Sequence, residues 1–166
     1  MVTVHDVAAY ILRSHGPMSS MKLQKLVYYS QAWSLVWDDA PLFGEEIQAW
    51  ANGPVVYELF GTHRGQYTVG PDWPRGRPDE LTPTQRETVD AILTDYGDLT
   101  GRQLSHLTHS EAPWRDARAG LGPTERSNQL ISLDSLVDYY GALDAAADAT
   151  PVDELDWSGW ERPEDS

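Results

Sequence analysis

Four groups of residues carry types and spacings with which chemistry could be done. Lys22 and Lys25 lie three apart with Tyr29 four further on, so on a helix they share one edge and could hold a carboxylate or phosphate. They are the only two lysines in the chain. Snorkelling lysines on a solvated rim are the plain alternative. His106 and His109, also three apart, could share a metal ion. They lack the His-Glu-x-x-His pattern and an evident third ligand, so hydrogen bonding and helix capping are the role expected of them. Asp38-Asp39 and Glu45-Glu46 pair carboxylates in sequence only. Neighbours in a strand point to opposite faces, and acids at a helix end serve as stop and solvation signals. Finally, Asp156, Trp157 and Trp160 set two large rings among acids near the C-terminus. A solvating tail gains nothing from such rings, so they read either as anchors for a partner's groove or as rings folded back on the chain's own surface.

Composition narrows these options. The chain has 166 residues, with 12 basic and 26 acidic side chains, a formal charge of −14 and no cysteine. Without cysteine there is no disulfide scaffold, thiolate zinc site, iron–sulfur cluster or thiol nucleophile. A field this negative repels phosphate backbones and anionic membranes, so general nucleic-acid binding is not expected and a basic or neutral protein partner is. DNA binding would need arginines such as Arg64, Arg75 and Arg77 gathered into a stripe. From residue 144 onward eight acids face one arginine, which places half of the net charge in a tail. Neither a glycine-rich phosphate loop nor a Gly-x-Ser-x-Gly elbow occurs. Catalytic residues, a metal site and a cofactor are therefore not expected. No apolar run reaches the ~18 residues of a membrane span, and the first residues lack a signal-peptide pattern, which sets a soluble cytoplasmic protein as the expectation.

The elements that must position these groups are mostly helices. Thr3 can cap a first helix through Leu12 that stops at His15-Gly16-Pro17. Ser20 can cap a second, from about Met21 to Trp37, apolar on more than one face and so central. A short extended segment is expected at 45–50, with Ile47 and Ala49 on one face. Asn52-Gly53-Pro54 is expected to turn the chain, with Gly53 in a conformation other residues resist and Pro54 opening a third helix through Phe60. Glycines and prolines make 61–78 a loop region with strand character only at 66–69. Leu81-Thr82-Pro83-Thr84-Gln85 reads as a capping box, and Thr100 with Gln103 as another. Ser110 can cap a turn holding Pro113 and Trp114, residues 128–131 can add a strand, and Ser132 can cap a last helix through Leu143. The fold expected is mainly α: a compact bundle of about six or seven helices with a minor two- or three-stranded β element, followed by the acidic tail. The boundary falls between a domain at 1–149 and the tail at 150–166.

Several of these stretches together resemble a known family. Met21-Lys22-Leu23-Gln24-Lys25-Leu26-Val27-Tyr28-Tyr29, Pro41-Leu42-Phe43, Glu46-Ile47-Gln48-Ala49-Trp50 and Asn52-Gly53-Pro54-Val55-Val56-Tyr57 are similar to the Panacea (SocA/GepA-like) antitoxin domain. Leu104 to His109, Pro113-Trp114 and Ile131-Ser132 continue the match, over about residues 3–143. The resemblance implies an antitoxin, of bacterial or prophage origin, that neutralises a cognate protein toxin by binding it and has no agreed catalytic residues. Alarmone-synthetase-like translation inhibitors are among the toxins it implies. An adaptor that delivers its toxin to a protease, or a regulator that binds its own operator, is the alternative. On this reading Lys22, Lys25, Tyr29, Asp156, Trp157 and Trp160 are the expected partner-binding residues, and Trp33, Trp50, Gly53, Pro54 and Trp114 are expected to build the fold.

Overall fold

A helix with apolar side chains on every face has nowhere to go but the middle, and α2 (Ser20–Trp37) is buried over 14 of its 18 residues. A computed structural model of the chain describes residues 1–146. Around α2 pack α1 (Val4–His15), α4 (Pro83–Tyr96), α5 (Gly101–His109) and α7 (Leu133–Ala145), with the shorter α3 (Tyr57–His63) and α6 (Ala112–Ala117) completing seven helices among the described residues. Their starts are written locally. Thr3 and Asp6, Thr82 and Gln85, and Thr100 and Gln103 each form reciprocal capping boxes, and Ser132 caps α7. Ser19, not Ser20, caps α2, its hydroxyl accepting from the Lys22 backbone N–H at 3.1 Å. Nor does Ser110 start α6. It closes α5, donating from Oγ to the Leu107 carbonyl at 2.7 Å, and Glu111 stands at the N-cap with its side chain turned inward.

The β part comprises two small antiparallel sheets. One joins β1 (Met18–Ser19) to β4 (Thr68–Val69). In the other, β2 (Ile47–Trp50) lies between β3 (Gly53–Val56) and β5 (Leu130–Ile131), with Trp50 opposite Gly53, Ala49 opposite Pro54 and Ile47 opposite both Val56 and Ile131. Period two sends Ile47 and Ala49 into the core and leaves Gln48 and Trp50 on the outer face.

The expectation that Pro54 opens a helix fails here, because it is a strand residue and α3 begins only at Tyr57. The cause lies in α2. Gln24 donates from Nε2 to the Val56 carbonyl at 3.2 Å and accepts the Val56 N–H at 2.9 Å, while Lys25 Nζ donates to the Pro54 carbonyl at 3.1 Å. These side chains satisfy the outer edge of β3, on which proline, lacking an N–H, is tolerated. Gln31 does the same for the loop after α2, accepting from Leu42 N and Phe43 N at 2.7 and 3.2 Å and donating to the Phe43 carbonyl at 2.8 Å. The tail residues expected to bind a partner, Asp156, Trp157 and Trp160, lie outside the described residues.

Candidate partner-binding site

The expected basic edge on α2 is not a surface. Lys22 is 8% exposed, Lys25 1% and Tyr29 0%. Charged side chains are buried at a cost unless their polar atoms find partners, and each of these does. Lys22 Nζ donates to the Gly97 carbonyl at 2.6 Å, at the C-terminal end of α4 where the helix dipole favours a cation. Burial lowers its pKa and the nearby Asp98 works against that. Lys25 reaches the Pro54 carbonyl, and burial brings its pKa down to about 7. The Tyr29 ring stacks on Tyr96 with centroids 4.3 Å apart and planes at 14°, and its hydroxyl donates to Glu111 Oε1 at 2.7 Å.

Glu111, which nothing in the sequence singled out, is the centre of this interior network. Its Oε1 also accepts from Tyr140 at 2.7 Å, and Tyr140 in turn lies 3.0 Å from the Tyr28 hydroxyl. Burial raises the carboxyl to about 7, against the pull of the two tyrosine hydrogen bonds. Trp33 joins from the other side, its Nε1 donating to Tyr96 Oη at 3.0 Å. The members of the network are at most 7% exposed, so these hydrogen bonds serve the fold.

Gly53 has φ of 120°, the left-handed side that suits only glycine, and a Cβ there would come within 2.5 Å of Lys25 Cε. Trp114 is buried with Nε1 donating to the Trp50 carbonyl at 2.8 Å, and its other face carries His109 stacked at 3.9 Å. Burial first, then the Lys25 charge, lowers His109 to about 4, which keeps the ring neutral. His106 is exposed beside it. No group of three His, Asp or Glu side chains among the described residues is placed to hold a metal ion.

What faces outward is a groove of about 680 Å³ on the outer face of the three-stranded sheet. Gln48, Trp50 and Val55 form its floor, α3 contributes Tyr57, Phe60 and Arg64, and Arg126 and Asn128 come from the segment that leads into β5. On α3, Leu59 and His63 point into the protein, which turns Tyr57, Phe60 and Arg64 to the opposite side. Trp50 meets Phe60 edge to face at 4.9 Å, Tyr57 stands 6.1 Å from Phe60, and the Arg64 guanidinium lies 5.4 Å over the Phe60 ring. Tyr57 is 50% exposed, and neither Arg64 nor Arg126 forms an ion pair among the described residues. Aromatic rings and arginines at the mouth of a partly apolar cavity are the composition of interface anchors. Trp50 was expected only as a fold-building residue, Arg64 was named only as part of a stripe that DNA binding would need, and Tyr57 and Phe60 were not singled out as a surface.

Comparison with known proteins identifies the family. Residues 23–115, from α2 through α6, match the family described as antitoxin SocA-like, Panacea domain. Over 110 residues the chain is 29% identical to antitoxin SocA of Caulobacter vibrioides (strain NA1000 / CB15N), covering 59% of this chain and 58% of that one, less than two thirds of the relative's length. No solved structure matches the chain. No helix among the described residues is long and apolar enough to cross a membrane. With the match covering more than half of the chain, including the β2–β3 hairpin and most of α2, the chain belongs to the family of SocA-like, Panacea-domain antitoxins.

Proposed function

We propose that the chain neutralises a cognate protein toxin in the cytoplasm by binding it directly, and that the aromatic and arginine groove is the surface it offers. The observation that carries this reading is the groove itself: Trp50, Tyr57 and Phe60 expose ring area that the core does not use, beside two arginines that have no ion pair among the described residues. The charge of −14 would steer a basic toxin into encounter, and rings desolvated in the complex would slow its escape. Inhibition then follows by occlusion of the toxin, with no reaction on the antitoxin. The alarmone-synthetase-like enzymes that the resemblance implies are the first toxin class to test.

The experiment is co-expression with the product of the neighbouring reading frame, scored by growth and by pull-down. A toxic neighbour rescued by this chain supports the reading. Tyr57→Ala together with Phe60→Ala should weaken toxin binding by on the order of 100-fold, while thermal stability changes little, since Tyr57 is half exposed and Phe60 borders the groove. Full rescue by that double variant would move the interface elsewhere. A neighbour with no toxicity, or a toxic one that this chain neither binds nor relieves, would overturn direct neutralisation.

A further inference from the structure

The groove has chemistry that the chain itself can answer. Trp50, Val55, Tyr57 and Phe60 give it an apolar, aromatic part, Gln48 and Asn128 a polar one, and Arg64 and Arg126 stand at its margins without an ion pair among the described residues. On a molecule of charge −14, two arginines at the margin of one groove are a local basic spot that favours acids. Outside the described residues the sequence Asp153-Glu154-Leu155-Asp156-Trp157-Ser158-Gly159-Trp160-Glu161 supplies two large apolar rings flanked by carboxylates, the complementary pattern.

We propose that the groove receives the chain's own segment 153–161, with Trp157 and Trp160 against Trp50 and Phe60 and the flanking acids facing Arg64 and Arg126.

Chain length permits it. The groove wall at Asn128 lies five residues before α7, and α7 is 13 residues long. At roughly 3.3 Å per extended residue and 1.5 Å per helical residue, the end of α7 stands at most ~37 Å from that wall. Eleven residue-to-residue steps lead from Ala146 to Trp157, enough for roughly 36–40 Å. Tethering makes the encounter intramolecular, at an effective concentration on the order of millimolar, so two rings and a few charge contacts suffice to fill the site. This inference stands apart from the toxin reading, because it concerns the chain alone. If both hold, the segment is a tethered competitor that a toxin must displace.

Because the chain has no cysteine, a single Gly159→Cys carries one nitroxide label on the full-length protein. The expected result is loss of the nuclear magnetic resonance signals of the Trp50 indole N–H and of the Ala51 and Asn52 amides. Those signals should return in the labelled Arg64→Glu, Arg126→Glu variant, whose changes are at exposed side chains. Broadening centred elsewhere overturns the proposal, as does uniform weak broadening or broadening that survives charge reversal. Broadening that appears only when labelled chain is mixed with unlabelled, isotope-enriched chain also overturns it, in favour of a second copy as occupant. None of these readouts involves a toxin, so they leave the outcome of the co-expression experiment untouched.

Discussion

Glu111→Gln tests whether the interior network holds a proton. The carboxyl is 5% exposed, and its Oε1 accepts both the Tyr29 and the Tyr140 hydroxyls at 2.7 Å. Its pKa rises from the ordinary 4.5 to about 7 on folding, chiefly through burial. Between those values the folded chain keeps a proton that the unfolded chain has released. The contribution to stability is therefore complete below pH 4.5, falls as pH rises through the window, and levels off above 7. At about 1.4 kcal/mol per pH unit, the loss across the window is roughly 3 kcal/mol. Glutamine keeps an oxygen for both hydroxyls and carries no charge. Its amide group must also be accommodated, at a cost that does not vary with pH, so the informative quantity is the change in the stability difference between variant and wild type from pH 4 to pH 8. It should favour the variant by roughly 3 kcal/mol, or on the order of 6–12 °C in Tm for a domain of this size. Urea unfolding followed by tryptophan fluorescence at a series of pH values measures it. Parallel profiles for the two proteins would refute the claim that Glu111 is buried as the neutral acid.

The neighbouring elements yield two further tests. Gly53→Ala places a Cβ 2.5 Å from Lys25 Cε and 3.1 Å from Thr108 Oγ1 at a φ of 120°, so strain and overpacking together should cost about 2–5 kcal/mol in chemical denaturation. A loss below ~1 kcal/mol would mean that the hairpin moves away from α2 at little cost. Lys25→Met addresses the opposite ionisation. Burial lowers this amine from 10.5 to about 7, so wild-type stability is complete above 10.5 and declines as pH falls toward 7. The variant should lose that dependence, and a slope between pH 7 and pH 10 equal to that of the wild type would show that Lys25 reaches water.

What could be read from the sequence divides along the range of the interactions involved. The capping residues Thr3, Thr82, Thr100 and Ser132 were legible because a cap and its partner lie three residues apart. The central place of α2 was legible too, since no side of it is polar enough to face water. The role of its lysines was not. Lys25 finds its acceptor 29 residues away at Pro54, Lys22 finds one 75 residues away at Gly97, and Tyr29 meets Glu111 across 82 residues. A short-range rule sees only a charge on a helix and places it outside. Pro54 misled for a related reason: proline suits both the first position of a helix and the edge of a sheet, and the choice was made by Gln24 and Lys25 from another element. The groove left a fainter trace. Trp50 falls out of phase with Ile47 and Ala49, and Tyr57, Phe60 and Arg64 recur at helical spacing opposite Leu59 and His63, so both outward faces carry large side chains where small polar ones would do.

The polar side chains of α2 divide the molecule into a wired side and one left out of that wiring. Lys22 holds the end of α4, Gln24 and Lys25 hold the edge of β3, Tyr29 holds Glu111 ahead of α6, and Gln31 holds the loop at Leu42 and Phe43. Every one of these contacts is buried and directional, so a shifted register would strand a charge or an amide without a partner, at about 1–3 kcal/mol for each neutral group and more for a charge. Hydrophobic packing alone is non-directional and would tolerate sliding that these contacts forbid. The outer face of the sheet takes no part in this wiring. Gln48, Tyr57, Phe60 and Arg64 make none of the bonds by which α2 fastens its neighbours, and Trp50 contributes to the core its backbone carbonyl, which accepts from Trp114 Nε1 and which any residue at that position supplies. Substitutions in the groove therefore leave the bonds that set the fold as they are. The hairpin is fastened to α2 along the edge of β3, and its outer face is available to the binding role proposed above.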